Sequence, residues 1–299
     1  MRYRFTSRDV GWTIGPMLNA PGRLGAATPT LELLLADDDR EASRLAADLA
    51  DANTRRRAIS SELIDAALKQ AREVYGASLP PGIVLAGDGW HPGMGGIVAG
   101  RLVDRLGVAV TIVALDGDQG VGSVRAPSGT KLYDAVSACR DDLVVFGGHD
   151  GAAGLCVRRE RIDAFRAAFA RAVGSAPRGA SPAPRADTEL FENDLVPPLA
   201  RDLRALEPTG EGNPETRVIA RDVRVTDVRV VGEVHLRLVL NMGRRTLGGF
   251  VRDGVSRRER GEIPAVGAKG DVTGTLRPDP FNGPDAVQVE VDSFSGLPH

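Results

Sequence analysis

The stretch Phe146-Gly147-Gly148-His149-Asp150-Gly151-Ala152-Ala153-Gly154 holds the first residues that could do chemistry. Paired glycines let the backbone approach a ligand closely, and their exposed N–H groups can hold an anion. His149 can donate to a phosphate oxygen or exchange a proton near neutral pH. The plainer account is a glycine-rich strand connection with an incidental histidine. Asn19-Ala20-Pro21-Gly22-Arg23 sets an amide and a guanidinium on what reads as a tight turn, and both could address a phosphate. In Gly122-Ser123-Val124-Arg125 a strand would point Ser123 and Arg125 to one face. A hydroxyl beside a guanidinium suits a phosphate, although a half-exposed strand needs no ligand. Gly89-Trp90-His91-Pro92-Gly93-Met94-Gly95-Gly96-Ile97 runs into a helical pattern, where glycines at a helix N-terminus favour an anion or simply make the turn. Leu206-Glu207-Pro208-Thr209-Gly210-Glu211-Gly212-Asn213-Pro214 is too rich in turn formers for a core element and reads as a structured loop between domains.

Metal chemistry finds less support. The four histidines, His91, His149, His235 and His299, lie far apart, and there is no His-Glu-x-x-His, Walker loop or complete dinucleotide fingerprint. A two-metal phosphodiesterase site needs several carboxylates and imidazoles together. Asp37-Asp38-Asp39 are the dense acids of the first part, and they stand where acids favour a helix start.

These side chains need elements to hold them. Residues 1–36, punctuated by Gly and Pro, show no clear periodic element. Asp38 to Tyr75 contains neither Pro nor Gly, and Ala42, Leu45, Leu49, Ala52, Ile59, Leu63, Ala66 and Val74 recur at steps of three and four. That spacing predicts one long helix, ended by Gly76 and expected to act as a spacer or spine. Then strands and helices alternate: strand Ile83–Ala86, helix Gly95–Leu106, strand Val108–Leu115 of the kind buried in a parallel sheet, strand Gln119–Arg125, helix Leu132–Arg140, strands Leu143–Phe146 and Ala153–Val157, helix Arg161–Val173. The alternation predicts a small α/β domain. The small residues and three prolines of 174–187 read as a linker. Beyond it, Val223/Val225 and Val228/Val230 alternate with a slip at Thr226-Asp227 that predicts a bulge. Leu236/Leu238/Leu240 and Val287/Val289/Val291 alternate as well, with turn signals at Gly232-Glu233, Asn241-Met242-Gly243 and Asn282-Gly283-Pro284, which fits a small antiparallel barrel.

The 299 residues supply enough apolar material for a core in each of two domains, at 42% hydrophobic and 26% charged. The net charge of −2 excludes a global basic field, so any polyanion must be met by local clusters. The bases are 35 Arg against 3 Lys; arginine forks suit phosphate, but a GC-rich coding bias is the plainer main cause of the ratio. No apolar run is long enough to span a bilayer, and Met1-Arg2-Tyr3-Arg4-Phe5 carries no apolar signal region. Two cysteines, Cys139 and Cys156, make neither a disulfide framework nor a cysteine-rich zinc site, so a cytoplasmic protein with reduced thiols is expected.

Taken together, these segments resemble the C-terminal part of the RecJ family, single-strand-specific DNA exonucleases of the DHH phosphoesterase superfamily. Ile14-Gly15-Pro16-Met17-Leu18-Asn19-Ala20-Pro21-Gly22-Arg23-Leu24 is similar to the family's Gly-Pro-x-x-Asn-Ala-x-Gly-Arg stretch. Gly89-Trp90-His91-Pro92-Gly93 with Gly96-Ile97-Val98-Ala99 resembles its Trp-His-x-Gly segment, and Gly122-Ser123-Val124-Arg125 its Gly-Ser-x-Arg. Gly147-Gly148-His149 with Ala152-Ala153-Gly154 looks like the signature of the DHHA1 domain, and Leu206–Pro208 with Gly210–Pro214 like the loop before the family's OB-fold. Pro21, Ala126 and Thr209 depart from the family pattern at places usually held by Ala, Ser and an aromatic.

The resemblance implies an α/β plus all-β architecture: a DHHA1-type α/β domain, then an OB-like antiparallel barrel, with a long connecting helix in front. It implies the end of a DHH domain plus that helix in 1–76, the α/β domain in 77–175, a linker in 176–187 and the OB-like domain in 188–299. The implied function is holding single-stranded DNA for a 5′-to-3′ exonuclease of DNA repair and recombination. Asn19, Arg23, Ser123, Arg125, Gly147, Gly148 and His149 would hold substrate phosphates. No catalytic residue or metal ligand is expected within this chain. Mn²⁺ or Mg²⁺ would be bound by the family's DHH domain, whose Asp-His-His does not occur here. The implied partners are single-stranded DNA, a DHH domain and a single-strand-binding protein, with no membrane. The barrel would grip the strand through arginines, with Phe250, Phe281 and Phe294 the only aromatics after residue 200 able to stack. A separately encoded, non-catalytic nucleic-acid-binding protein and a nuclease partner subunit are the alternatives.

Overall fold

The computed structural model describes residues 5–175, 185–279, 282, 283 and 285–295. Phe281, His299, residues 1–4, the linker centre 176–184 and Pro284 of the expected 282–284 turn lie outside the described residues. The chain divides into two compact units, Arg8–Ser181 and Pro182–His299 with Met1–Ser7.

Residues 7–35 are not irregular. They wind into α1 (Ser7–Asp9), a π turn (Val10–Ile14), α2 (Gly15–Leu18), α3 (Ala20–Leu24) and α4 (Thr28–Leu35). Prolines that read as breakers stand in the first turns of α2, α3 and α4. There the missing N–H has no intrahelical partner to lose. The expected tight turn at Asn19–Arg23 is therefore a helix start.

The long helix α5 (Asp39–Tyr75) forms as its spacing predicts. Asp38 Oδ1 accepts from the backbone N–H groups of Arg40 (3.0 Å) and Glu41 (2.9 Å). Gly76, at φ +69°, ends it. It is not a bare spacer. Its inward stripe of Leu45, Leu49, Ala52, Leu63, Ala67 and Ala71 is buried, the latter half against the sheet. Ala66 and Val74, assigned inward by spacing, are exposed.

Behind α5 lies a five-stranded mixed sheet, in the order β1 (Gly82–Asp88), β2 (Ala109–Asp116), β3 (Gln119–Arg125), β5 (Ala152–Arg158), β4 (Leu143–His149). Only β1 and β2 are parallel; every other neighbouring pair is antiparallel. β1 and β2 are buried on both faces, which is why they read as unbroken apolar runs. One face of the sheet packs on α7 (Leu132–Ser137) and α8 (Ile162–Ser175) through Leu132, Val136, Phe165 and Phe169. The helix expected over Leu132–Arg140 stops at Ser137 and re-forms as a 3₁₀ turn at Arg140–Asp142. The other face is covered by α5 over β1 and by α6 (Gly95–Leu106) over β2 and the Ser123–Arg125 end of β3. The rest of β3, with β5 and β4, stays open, and Val121 (58% exposed) and Val145 (62%) show on it.

The two thiols test this layering. Cys139 is 2% exposed, and burial, with the Asp142 carboxylate second, pushes its thiol up to about 11. Cys156 is half-buried on the open face, 3.3 Å from Gln119 Oε1. A thiol reagent at about pH 8 should label Cys156 and spare Cys139 until the chain is denatured, as read by mass spectrometry. Equal labelling of both in the native protein would contradict the arrangement.

The second unit contains β6 (Thr188–Glu189), α9 (Pro198–Ala205), β7 (Arg217–Val231), β8 (His235–Met242), β9 (Arg245–Val251), α10 (Gly254–Glu259), β10 (Lys269–Pro278) and β11 (Val287–Ser295). Five strands close in the order β7-β8-β9-β11-β10 and back to β7. The barrel is antiparallel except at its β9–β11 seam, which is parallel. The predicted bulge falls between Val225 and Asp227. Leu236, Leu238, Leu240, Val289 and Val291 fill the interior, as their alternation requires, while Val230 is exposed. Residues 206–214 form the expected loop, tied by Asn213 Nδ2 donating to the carbonyls of Leu206 (3.1 Å) and Pro208 (2.8 Å).

Candidate functional site

The open half of the sheet and the turn into α6 bring together most of the residues singled out by type. Ser123 pairs with Gly154, and Gly154 with Gly147, so these three form one row across β3, β5 and β4. Cross-strand partners share a face. Ser123, Arg125, Gly147 and His149 therefore all belong to the open face. Two of the row's three positions carry no side chain, and a Cβ on Gly147 would meet nothing within 4 Å. The result is a bare backbone floor about 9–10 Å across, two strand spacings, from Ser123 to Gly147.

One edge of this floor is the start of α6. A Cβ on Gly95 would stand 3.3 Å from Ser123 Oγ, and one on Gly96 2.9 Å from Arg125 Nη2. The two glycines let the first turn of the helix, with its unpaired N–H groups, settle on the Ser123–Arg125 pair. The preceding turn packs on α3: a Cβ on Gly93 would collide with the Arg23 carbonyl oxygen. Arg23 thus reaches the same place from a different element. Asn19, the N-cap residue of α3, lies one turn earlier, exposed and on the Arg23 side of the helix. Arg125 Nη1 donates to its neighbour's carbonyl, Val124 O, at 2.8 Å. Burial, and then the nearby Arg23 charge, lower the Arg125 guanidinium from its usual range.

The other edge carries His149, exposed at the end of β4. Its Nδ1 accepts from the Gly151 N–H at 3.1 Å, which leaves Nε2 as the donor. Gly148 plays a steric part. At φ +148° its Cβ would collide with Ala152 O and stand 2.6 Å from the Ala153 Cα, so only glycine fits the hairpin here. Asp150 is paired with Lys131 (2.9 Å), whose ammonium holds the carboxyl below its usual range. His91 caps the turn into α6, accepting from Gly93 N at 3.1 Å, which is a structural role.

Two arginines belong to this place that residue typing passed over. Arg56 of α5 is 9% exposed, and its Nε donates to Asn53 Oδ1 at 3.1 Å. Arg101 stands exposed on α6. Their sign in the sequence is positional. The inward stripe of α5 must pass through positions 56 and 60 between Ala52 and Leu63, and those positions hold Arg and Ser.

The barrel's outer face differs. Arg237 bonds Asp279 (2.7 Å), Arg252 bonds Glu290 (2.8 Å), and Arg277 bonds both Glu290 and Glu215. Phe250 sits among them on the same face, opposite Arg237 and Glu290 and 5.3 Å from the His235 ring. Phe294 packs against the barrel core. Among the described residues no group of three or more His, Cys, Asp or Glu stands together as metal ligands, and no helix is long and apolar enough to cross a membrane.

A half-open α/β sheet with a glycine-floored, arginine-edged face, followed by a closed five-stranded barrel, defines the class: an α/β domain joined to an OB-type domain. Residues 79–175 match the DHHA1 domain model and residues 186–293 the RecJ OB domain model. The chain thus belongs to these two domain families and corresponds to the C-terminal part of RecJ. It is 32% identical over 250 residues to the single-stranded-DNA-specific exonuclease RecJ of Bacillus subtilis, covering 77% of this chain and 30% of that protein. Over 267 residues it is 35% identical to RecJ of Dickeya dadantii, covering 85% of this chain and 45% of that one. The crystal structure of Thermus thermophilus RecJ in complex with Mg²⁺ superposes over 100% of this chain and 45% of its own, at TM-score 0.77 and 29% identity. The same protein has been solved with Mn²⁺. The chain spans less than half the length of these relatives.

Proposed function

We propose that this chain is the substrate-holding portion of a single-strand-specific, 5′-to-3′ DNA exonuclease of repair and recombination. One observation carries the reading. Arg23, Ser123, Arg125 and the first turn of α6 converge beside a bare glycine floor, and none of the three side chains has a carboxylate partner among the described residues. Two arginines from different elements, left without acids beside a helix N-terminus, make a place for phosphate. Gly147 supplies room on that floor, His149 a donor on its far edge, and Asn19 a further donor beside Arg23. Gly148 keeps the hairpin in shape.

Mn²⁺ or Mg²⁺ would serve hydrolysis in the intact enzyme. The donor sets among the described residues do not fit such an ion, so its ligands in this reading belong to a preceding DHH domain. That domain and single-stranded DNA are the proposed partners, with a single-strand-binding protein as a further one, and the proposed location is the cytoplasm.

The test is degradation of labelled, 5′-phosphorylated single-stranded DNA with Mn²⁺, by the chain alone and with a separately made DHH domain. Intact DNA in the first case and shortening from the 5′ end in the second are expected. Cutting by the chain alone would overturn the division of labour. Absence of any salt-dependent DNA binding would overturn the reading altogether.

A further inference from the structure

Some arginines of this unit face acids: Arg44 bonds Glu41 and Asp48, Arg159 bonds Asp88, Arg161 bonds Asp142 and Arg166 bonds Asp163. Those around the turn into α6 do not, and one of them is buried. Arg56 is nine-tenths buried, and its one bond is to the neutral amide of Asn53, itself 6% exposed. A buried cation without a counter-charge is costly and is rarely kept unless something neutralises it.

Its position points to what does. Arg56 lies one turn before Ser60, whose hydroxyl bonds Met94 Sδ at 3.3 Å in the turn leading into α6. The Arg23 carbonyl abuts Gly93 in that turn, and the Arg125 guanidinium abuts Gly96 just after it. α5 and α6 then run together through Leu63, Ala67, Val98 and Leu102, with Arg101 on the exposed side of α6. Burial, then Arg101, Arg57 and Arg23 in that order, lower the Arg56 guanidinium from its usual range. The cations are thus neighbours, Arg125 beside Arg23, and Arg56 beside both Arg23 and Arg101. No carboxylate pairs with any of the four among the described residues.

We propose that Arg56 and Arg101 form a second phosphate subsite, taking the sugar-phosphate unit next to the one held at Arg23, Ser123 and Arg125. The proposal rests on the single-stranded-DNA reading above and extends it. Arg56, fixed by Asn53 and by burial, presents its remaining N–H groups without having to be ordered on binding. Arg101 closes on the same phosphate from the solvent side. The strand would leave the glycine floor along the α5–α6 crest, its direction set by these neighbouring cations.

The experiment measures binding of a labelled oligodeoxythymidylate to the full chain across a salt series. Wild type is compared with R56Q, R56K, R101Q, R125Q and R40Q, and thermal melting is recorded for each. R56Q and R101Q should each weaken binding about tenfold at low salt, the worth of one charge-assisted hydrogen bond. Each should also lower the log–log salt slope by about 0.7, one single-strand phosphate contact. R56K should fall between, because it keeps the charge and loses the fork. R40Q, at the exposed start of α5, should match wild type. R56Q should not melt lower, since it removes an uncompensated buried charge. Wild-type affinity and slope in both R56Q and R101Q, with R125Q weakened, would overturn the second subsite and leave the first. A lower melting point for R56Q with an unchanged slope, and R101Q unchanged, would make Arg56 a packing residue. Wild type without salt-dependent binding overturns both readings.

Discussion

Replacing Arg125 with glutamine is expected to weaken binding of single-stranded DNA by about 10- to 100-fold while leaving the protein no less stable. A hydrogen bond to a charged group contributes about 1.5–3 kcal/mol, which sets the range. The stability half of the prediction is the more discriminating. Arg125 makes its one backbone bond to its neighbour's carbonyl and feels the repulsion of Arg23. Removing the guanidinium relieves that repulsion, as is common where binding has been favoured over stability. Arg23→Gln should act in the same direction. The double variant should lose less than the product of the two, because neighbouring residues on one ligand are coupled. Binding titrations and melting curves on the same samples check this. A variant that melts lower and still binds as wild type would assign Arg125 to the fold.

Gly93→Ala should destabilise the protein by roughly 2–4 kcal/mol, a large effect for one methyl group, because the atoms in its way are backbone. The added Cβ would collide with the Arg23 carbonyl oxygen and lie 3.1 Å from its carbon. α3 would have to withdraw and take Arg23 with it. DNA affinity should therefore fall about tenfold although no charged group has been removed, the loss of one charge-assisted contact. Gly100→Ala is the matched comparison. It lies inside α6, where a Cβ meets nothing within 4 Å, so the same methyl group should stabilise by about 0.5–1 kcal/mol. Equal melting of the two variants would refute the packing of the 91–95 turn on α3.

Much of this protein was legible along the chain. Alternation fixes the inward faces of β8 and β11, because a strand points successive side chains to opposite sides. Asp38 and Gly76 bracket α5 because a side-chain oxygen and the N–H of a positive-φ glycine each satisfy groups that a helix end leaves open. Ser123 and Arg125 share a face for the same local reason as the barrel residues. The glycines of 147–154 and 95–96 could be seen as places of close approach, but what approaches them could not.

Tertiary structure decided the rest. Arg23, Arg56, Arg101 and Arg125 come from α3, α5, α6 and β3, about 100 positions apart at the extremes, and no spacing rule links them. The prolines of the first 36 residues were ambiguous between breaking a helix and starting one, and packing on α5 chose the second. The arginines of the barrel's outer face look like a DNA grip until their partners are known. Asp279, Glu215 and Glu290 reach them from other strands and loops. Composition counts charges, but only the fold says which of them are already neutralised, because an ion pair acts over a few ångströms of space whatever the separation in sequence.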